Sequence, residues 1–119
     1  MKPTILIVDD DEPIRKLLQE ALAKEYNLVM AGEGFQGLSE IMVGEQKIDL
    51  VITDLKMPGL NGIEFAKNLP EGVPFIIISG FLNLMKFQEP LKGLLPFAVF
   101  DKPFRMHALR EAIHLALGQ

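Results

Sequence analysis

The chain is 119 residues long, 49% hydrophobic and 24% charged, with a formal net charge of −4 and no cysteine. That size predicts one domain over residues 1–119 with a real core, and the composition argues against disorder or a fibrous architecture. The absence of cysteine removes a disulfide framework or thiolate metal site, no apolar run approaches the ~20 residues needed to span a bilayer, and no basic cluster offers a footprint for nucleic acid. The expectation is a cytoplasmic protein without membrane insertion or direct nucleic-acid binding.

Thr4 to Val8 is a short β-branched apolar run closed by Asp9-Asp10-Asp11-Glu12-Pro13, which reads as a buried strand ending in acid. Ile14, Leu17, Leu18, Ala21 and Leu22 then recur at helical spacing, with Pro13 suited to the first turn. Asn27 to Ala31 reads as a second strand, and Phe35, Leu38, Ile41 and Met42 repeat at helix period until Gly44. Leu50 to Ile52 is a third strand, apolar throughout as in a parallel sheet covered on both faces. It delivers Asp54 into a turn forced by Pro58-Gly59 and Gly62. Ile63, Phe65, Ala66 and Leu69 predict a third helix, Pro74 to Gly80 a strand ending in the Ser79 hydroxyl, and Phe97 to Phe100 a fifth strand leading into Lys102-Pro103. Between Ser79 and Phe97 the fourth helix in sequence should be short or broken, because Pro90, Gly93 and Pro96 interrupt it. Its apolar content suits extra core packing or, alternatively, an exposed patch that docks a partner. Met106, Leu109, Ala112, Ile113, Ala116 and Leu117 give a final amphipathic helix.

Strands alternating with helices define an α/β domain: a doubly wound, five-stranded parallel sheet, order 2-1-3-4-5, with helices on both faces. In such a sheet ligands bind beyond the carboxyl ends of the strands, and that edge is where Asp9, Asp10, Asp54, Ser79 and Lys102 fall. Carboxylates gathered at ~4 Å would repel by about 4 kcal/mol per pair at an effective dielectric near 20. Lys102 neutralises part of that charge, and an oxygen-only cluster suits a hard divalent cation, with magnesium the natural candidate. Magnesium beside a carboxylate invites phosphoryl chemistry with Asp54 as nucleophile, while Lys102 and the Ser79 hydroxyl stabilise charge on the transferring group. Asp11 is expected to be a solvated helix cap, and His107 and His114 to be surface or packing residues of the last helix.

Four motifs, Ile-Val-Asp9-Asp10, Asp54 with Met57-Pro58-Gly59-Leu60-Asn61-Gly62, Ser79-Gly80 and Lys102-Pro103-Phe104, resemble the receiver domain of two-component response regulators over essentially the whole chain. The resemblance implies phosphorelay signalling, in which Asp54 accepts a phosphoryl group from a sensor histidine kinase or a histidine phosphotransfer protein. Asp10 would bind Mg2+ directly, Asp9 through water, and the backbone carbonyl of Lys56 would complete the protein ligands. Ser79 would be the switch hydroxyl, Lys102 would contact the phosphoryl group, and the Lys102-Pro103 bond would be cis. Such a chain is a switch for an output partner more than an enzyme, catalysing only its own phosphorylation and dephosphorylation. Val99 stands where the family often has Tyr or Phe, which puts switch coupling to the surface in question. Lys56 and Phe81 lie where attacking water would enter, and bulky Phe81 is expected to slow loss of the phosphoryl group. A magnesium-dependent aspartyl-phosphate phosphatase or phosphotransferase acting on a small molecule, and a receiver-like interaction module that is never phosphorylated, stay open as alternatives.

Overall fold

The structure, a computed structural model, describes residues 2–80 and 93–119. Five parallel strands, β1 (Thr4–Val8), β2 (Asn27–Ala31), β3 (Leu50–Thr53), β4 (Phe75–Ser79) and β5 (Ala98–Asp101), form one sheet in the order β2-β1-β3-β4-β5. The order reverses between β1 and β3, which pair directly through Ile5 with Leu50 and Val8 with Thr53. Helices α1 (Glu12–Leu22), α2 (Gly34–Val43) and α3 (Gly62–Lys67) and the C-terminal helix Met106–Ala116 are the described helices.

Alternation along the strands splits the core into two layers. Ile5, Ile7, Leu50, Ile52, Ile76 and Ile78 face Leu18 and Leu22 of α1 and Leu109 and Ile113 of the C-terminal helix. Leu6, Val8, Val51, Phe75 and Ile77 pack on the other side with Ile63, Phe65 and Ala66 of α3. β1, β3 and β4 are buried at every position, which is why their sequences are unbroken apolar runs rather than alternating ones. β5, one of the sheet's two edge strands, alternates between half-buried and exposed residues. It runs over Ala98–Asp101, one residue later than the expected Phe97 to Phe100.

Two helical faces differ from the periodic reading. Ile14, Leu18, Ala21 and Leu22 turn inward as expected, but Leu17 is 47% exposed, at the margin of the apolar stripe. On α2, Leu38 and Ile41 reach the core, whereas Phe35 and Met42 are 58% and 79% exposed. The buried positions of α2 are instead Gly34 and Gly37. A Cβ on Gly34 would meet the Leu60 carbonyl oxygen at 2.4 Å, and one on Gly37 would meet Phe65 and Val8 at 2.9 Å, so α2 sits against its neighbours too closely for any side chain there. α3 ends at Lys67, short of the expected Leu69, because the Asn68 side chain caps the helix by donating to the Glu64 carbonyl at 2.8 Å and Pro70 follows; Leu69 still packs against the core.

The expected short or broken helix between β4 and β5, together with Phe81, falls chiefly outside the described residues. Of its described end, Leu94 packs against the core while Leu95 is 88% exposed. No helix among the described residues is long and apolar enough to cross a membrane.

Candidate functional site

The carboxyl ends of β1 and β3 lie side by side, and each hands over a carboxylate in the residue after it ends. The Asp54 N–H donates to the Val8 carbonyl at 3.0 Å and the Asp9 N–H to the Ala31 carbonyl at 3.1 Å, so both backbones are still tied to the sheet at the point where the side chains emerge. Side-chain position is thereby inherited from strand pairing rather than from a free loop. The Asp54 loop is set from below by Gly62. Its N–H donates to the Leu55 carbonyl at 2.8 Å, and a Cβ at that position would stand 2.0 Å from the Asp54 carbonyl oxygen. Gly59, at φ +72°, makes the preceding turn in a conformation that glycine adopts without strain. Asn61 then starts α3, its side chain accepting from the Glu64 N–H at 2.9 Å.

Asp9, Asp10 and Asp54 each offer a carboxylate oxygen within 4.8 Å of the others, with Asp9 and Asp54 buried and Asp10 exposed. Lys102 reaches in from just beyond the end of β5 and places its ammonium 2.9 Å from Asp9 Oδ2 and 3.0 Å from Asp54 Oδ2. Its own N–H donates to the Ser79 carbonyl at 3.0 Å, which ties the ends of β4 and β5 together, and the Lys102-Pro103 bond is cis. The second oxygen of Asp54 accepts from the Leu55 N–H at 2.7 Å and, more weakly, from the Lys56 N–H at 3.4 Å.

Burial pushes the Asp9 carboxyl above the usual carboxylate range, and the nearby Asp54 charge pushes the same way. The Lys102 hydrogen bond and the Asp11 N–H, which donates to Asp9 Oδ1 at 2.9 Å, offset only part of this. For Lys102 burial works against the ammonium, but hydrogen bonds and charge from Asp9 and Asp54 outweigh it and hold its pKa above the ordinary lysine value. A single ammonium facing two buried carboxylates with a third beside them leaves an uncompensated negative charge. An oxygen-only donor set of that sign, partly open to solvent, fits a hard divalent cation that retains some of its water.

A cleft of about 520 Å³ opens over the cluster, lined by Asp10, Asp54, Lys56, Met57, Gly80 and Lys102 among others. The expected site residues therefore occupy one sheet edge: Asp9, Asp10, Asp54 and Lys102 within a few ångströms, Lys56 on the cleft wall, and Ser79 fully buried at the end of β4 next to the wall residue Gly80. Asp11 is the N-cap residue of α1, but its side chain makes no capping bond; its backbone N–H serves Asp9 instead. His114 is a packing residue, 3.7 Å from Glu25 and edge-on to the Tyr26 ring. Phe100 does not stand in for an aromatic at Val99. It is half-buried against the layer of α1 and the C-terminal helix, whereas Val99 is 38% exposed on the opposite side of the strand. Two site contributors went unread in the sequence: Gly62, whose close approach looks like any turn glycine, and Arg15, which donates to the Asp9 carbonyl from α1 and has no sequence signature.

The doubly wound parallel sheet is also the fold of known proteins that this chain resembles. The response regulator receiver domain family matches residues 5–114, and the chain belongs to that family. It is 38% identical to sporulation initiation phosphotransferase F of Bacillus subtilis, over 95% of this chain and 92% of that protein. It is 33% identical to the transcriptional regulatory protein GlrR of Escherichia coli over 97% of this chain but only 26% of the relative. Among solved structures, a CheY-like response regulator receiver domain protein from Methanospirillum hungatei superposes with a TM-score of 0.89 at 26% identity, covering 99% of this chain and 95% of that one. The chain is thus a receiver domain homologous to phosphorelay response regulators, a class of phosphoacceptors that are generally not enzymes in their own right.

Proposed function

We propose that residues 1–119 act as one receiver domain that takes a phosphoryl group on Asp54 from a phosphohistidine of a sensor kinase or phosphotransfer protein, and passes the change to an output partner in the cytoplasm. The observation that carries this reading is the bridging of Asp9 and Asp54 by Lys102 at 2.9 and 3.0 Å, beneath a cleft open to a donor. In the transfer, an Asp54 carboxylate oxygen forms a bond to phosphorus as the bond from phosphorus to the donor imidazole nitrogen breaks, and the nitrogen's electron pair stays with the imidazole. Asp54 Oδ1 is held by backbone N–H groups and Oδ2 by the lysine, so the nucleophile is oriented before any donor arrives. Lys102 then has a negatively charged phosphoryl oxygen to follow, and the Ser79 hydroxyl at the end of β4 supplies a hydrogen-bond donor on the neighbouring strand.

Asp9, Asp10 and Asp54, with the Lys56 backbone carbonyl, would hold Mg2+. Bound there, the ion supplies charge neutralisation for the transferring group. The same residues support self-phosphorylation from a small phosphodonor and slow self-dephosphorylation, with Phe81 as the proposed restraint on attacking water. Beryllofluoride, which mimics an aspartyl phosphate, tests the assignment. With Mg2+ it should shift the amide resonances of Leu55, Lys56, Ser79 and Lys102 in the wild type and leave the Asp54→Asn variant unchanged. Identical spectra for the two proteins would reject it, and sustained turnover of small phosphate esters would favour a phosphatase instead.

A further inference from the structure

Arg15 reaches from α1 to the peptide that links two of the three carboxylate residues, yet among the described residues it makes no ion pair within 4.0 Å; its guanidinium Nη1 donates instead to the backbone carbonyl of Asp9. That is an unexpected use of a cation at this place. Four residues into α1, it faces the positive end of the helix dipole, an unfavourable position that a charge-assisted bond to a carbonyl offsets. The head group rests against the end of β2, where a Cβ on Gly32 would lie 3.5 Å from Nη1, and the Gly32 N–H is itself held by the Gln36 side chain at 2.9 Å.

The carbonyl that Arg15 grips belongs to the peptide linking Asp9 to Asp10. Asp9 has other restraints, from the Ala31 carbonyl on its N–H and from Lys102 and the Asp11 N–H on its carboxylate. Asp10 has none of its own: its exposed side chain makes no hydrogen bond or ion pair among the described residues. The direction in which its carboxylate leaves the backbone depends on the orientation of the peptide plane before it. We infer that Arg15 is a positioning residue for the cation site, fixing the Asp9–Asp10 peptide so that the Asp10 carboxylate stays within reach of Asp9 and Asp54. This rests on the reading of that cluster as an Mg2+ site.

If Arg15 acted only through its charge, removing it would leave the acidic cluster more negative and Mg2+ would bind more tightly. A positioning role predicts the reverse, a loss of about tenfold in Mg2+ affinity for Arg15→Ala, in the range found when groups that orient metal ligands are removed. Mg2+ titrations followed by amide NMR at fixed ionic strength measure it, with melting temperatures recorded alongside. Arg15→Lys, which keeps a charged donor, should recover most of the affinity, and Arg15→Gln, which keeps an uncharged donor, should fall between. Should Arg15→Ala fail to fold, the Lys and Gln variants carry the same comparison. Unchanged or tighter binding in a folded Arg15→Ala or Arg15→Gln overturns the positioning role. A wild type that does not bind Mg2+, or an Asp10→Asn variant that binds it as well as wild type, removes the site reading itself and the inference with it.

Discussion

Asp9 is the residue at which folding and function pull apart. Its carboxylate is almost fully buried, faces Asp54 and shares one lysine with it, and burial raises its pKa above the ordinary carboxylate value of 3.8. A carboxyl whose pKa is higher in the folded chain than in the unfolded one binds its proton more tightly when folded, so stability is greatest when it is protonated and declines as pH rises through the folded value. At neutral pH the ionised Asp9 therefore costs stability. Asp9→Asn keeps an acceptor for the Asp11 N–H and leaves Lys102 to Asp54. It should raise the melting temperature measured at pH 7 without divalent ions. The gain should shrink as pH falls through the raised Asp9 range towards 3.8, where the wild type protonates and relieves itself. A variant that melts lower than wild type at pH 7 would show that the Lys102 pair outweighs burial.

At the scale of the elements, the turn from β3 to α3 is where backbone geometry serves the site most directly. Gly62 lies against the Asp54 carbonyl, so Gly62→Ala must displace either α3 or the Asp54 peptide. Overpacking of this kind costs about 2 kcal/mol. Urea unfolding should show a loss of that size, and beryllofluoride binding should weaken alongside it; a variant with wild-type stability would mean that the turn yields freely. The sequence marks this glycine as a turn residue and nothing more, since close approach to a backbone leaves no trace in hydrophobic pattern. The same blindness explains α2. Phe35, Leu38, Ile41 and Met42 mark the helical period, but the helix also packs closely through Gly34 and Gly37, residues that carry no apolar signal, and Phe35 and Met42 turn out to solvent. Where strands are buried on both faces, as in β1, β3 and β4, the apolar run itself is the signal, and their positions were legible to within a residue. β5 runs one residue later than expected.

Across the whole molecule, the site exists because topology gathers residues far apart in sequence. Asp9 follows β1, Asp54 follows β3 and Lys102 follows β5, and the strand order sets the first two side by side with the lysine arriving from the sheet's far edge. The alternation of elements and the carboxylates at strand ends made this much readable in advance. The Lys102 bridge to two acids at once, and the hold of Arg15 on the Asp9 carbonyl, depend on distances that only folding supplies. Lys102 also joins Asp54 to the sheet, since its ammonium contacts the Asp54 carboxylate while its backbone N–H is tied to the Ser79 carbonyl. On β5, Val99 offers a small exposed side chain. The central claim, that Asp54 is the phosphoacceptor, is tested most directly by intact mass after incubation with acetyl phosphate and Mg2+. The wild type should gain the mass of one phosphoryl group, lost again once acetyl phosphate is removed with Mg2+ kept present, and Asp54→Asn should gain none. Equal phosphorylation of both proteins, or none in a wild type shown by NMR to be folded and to bind Mg2+, would contradict the account.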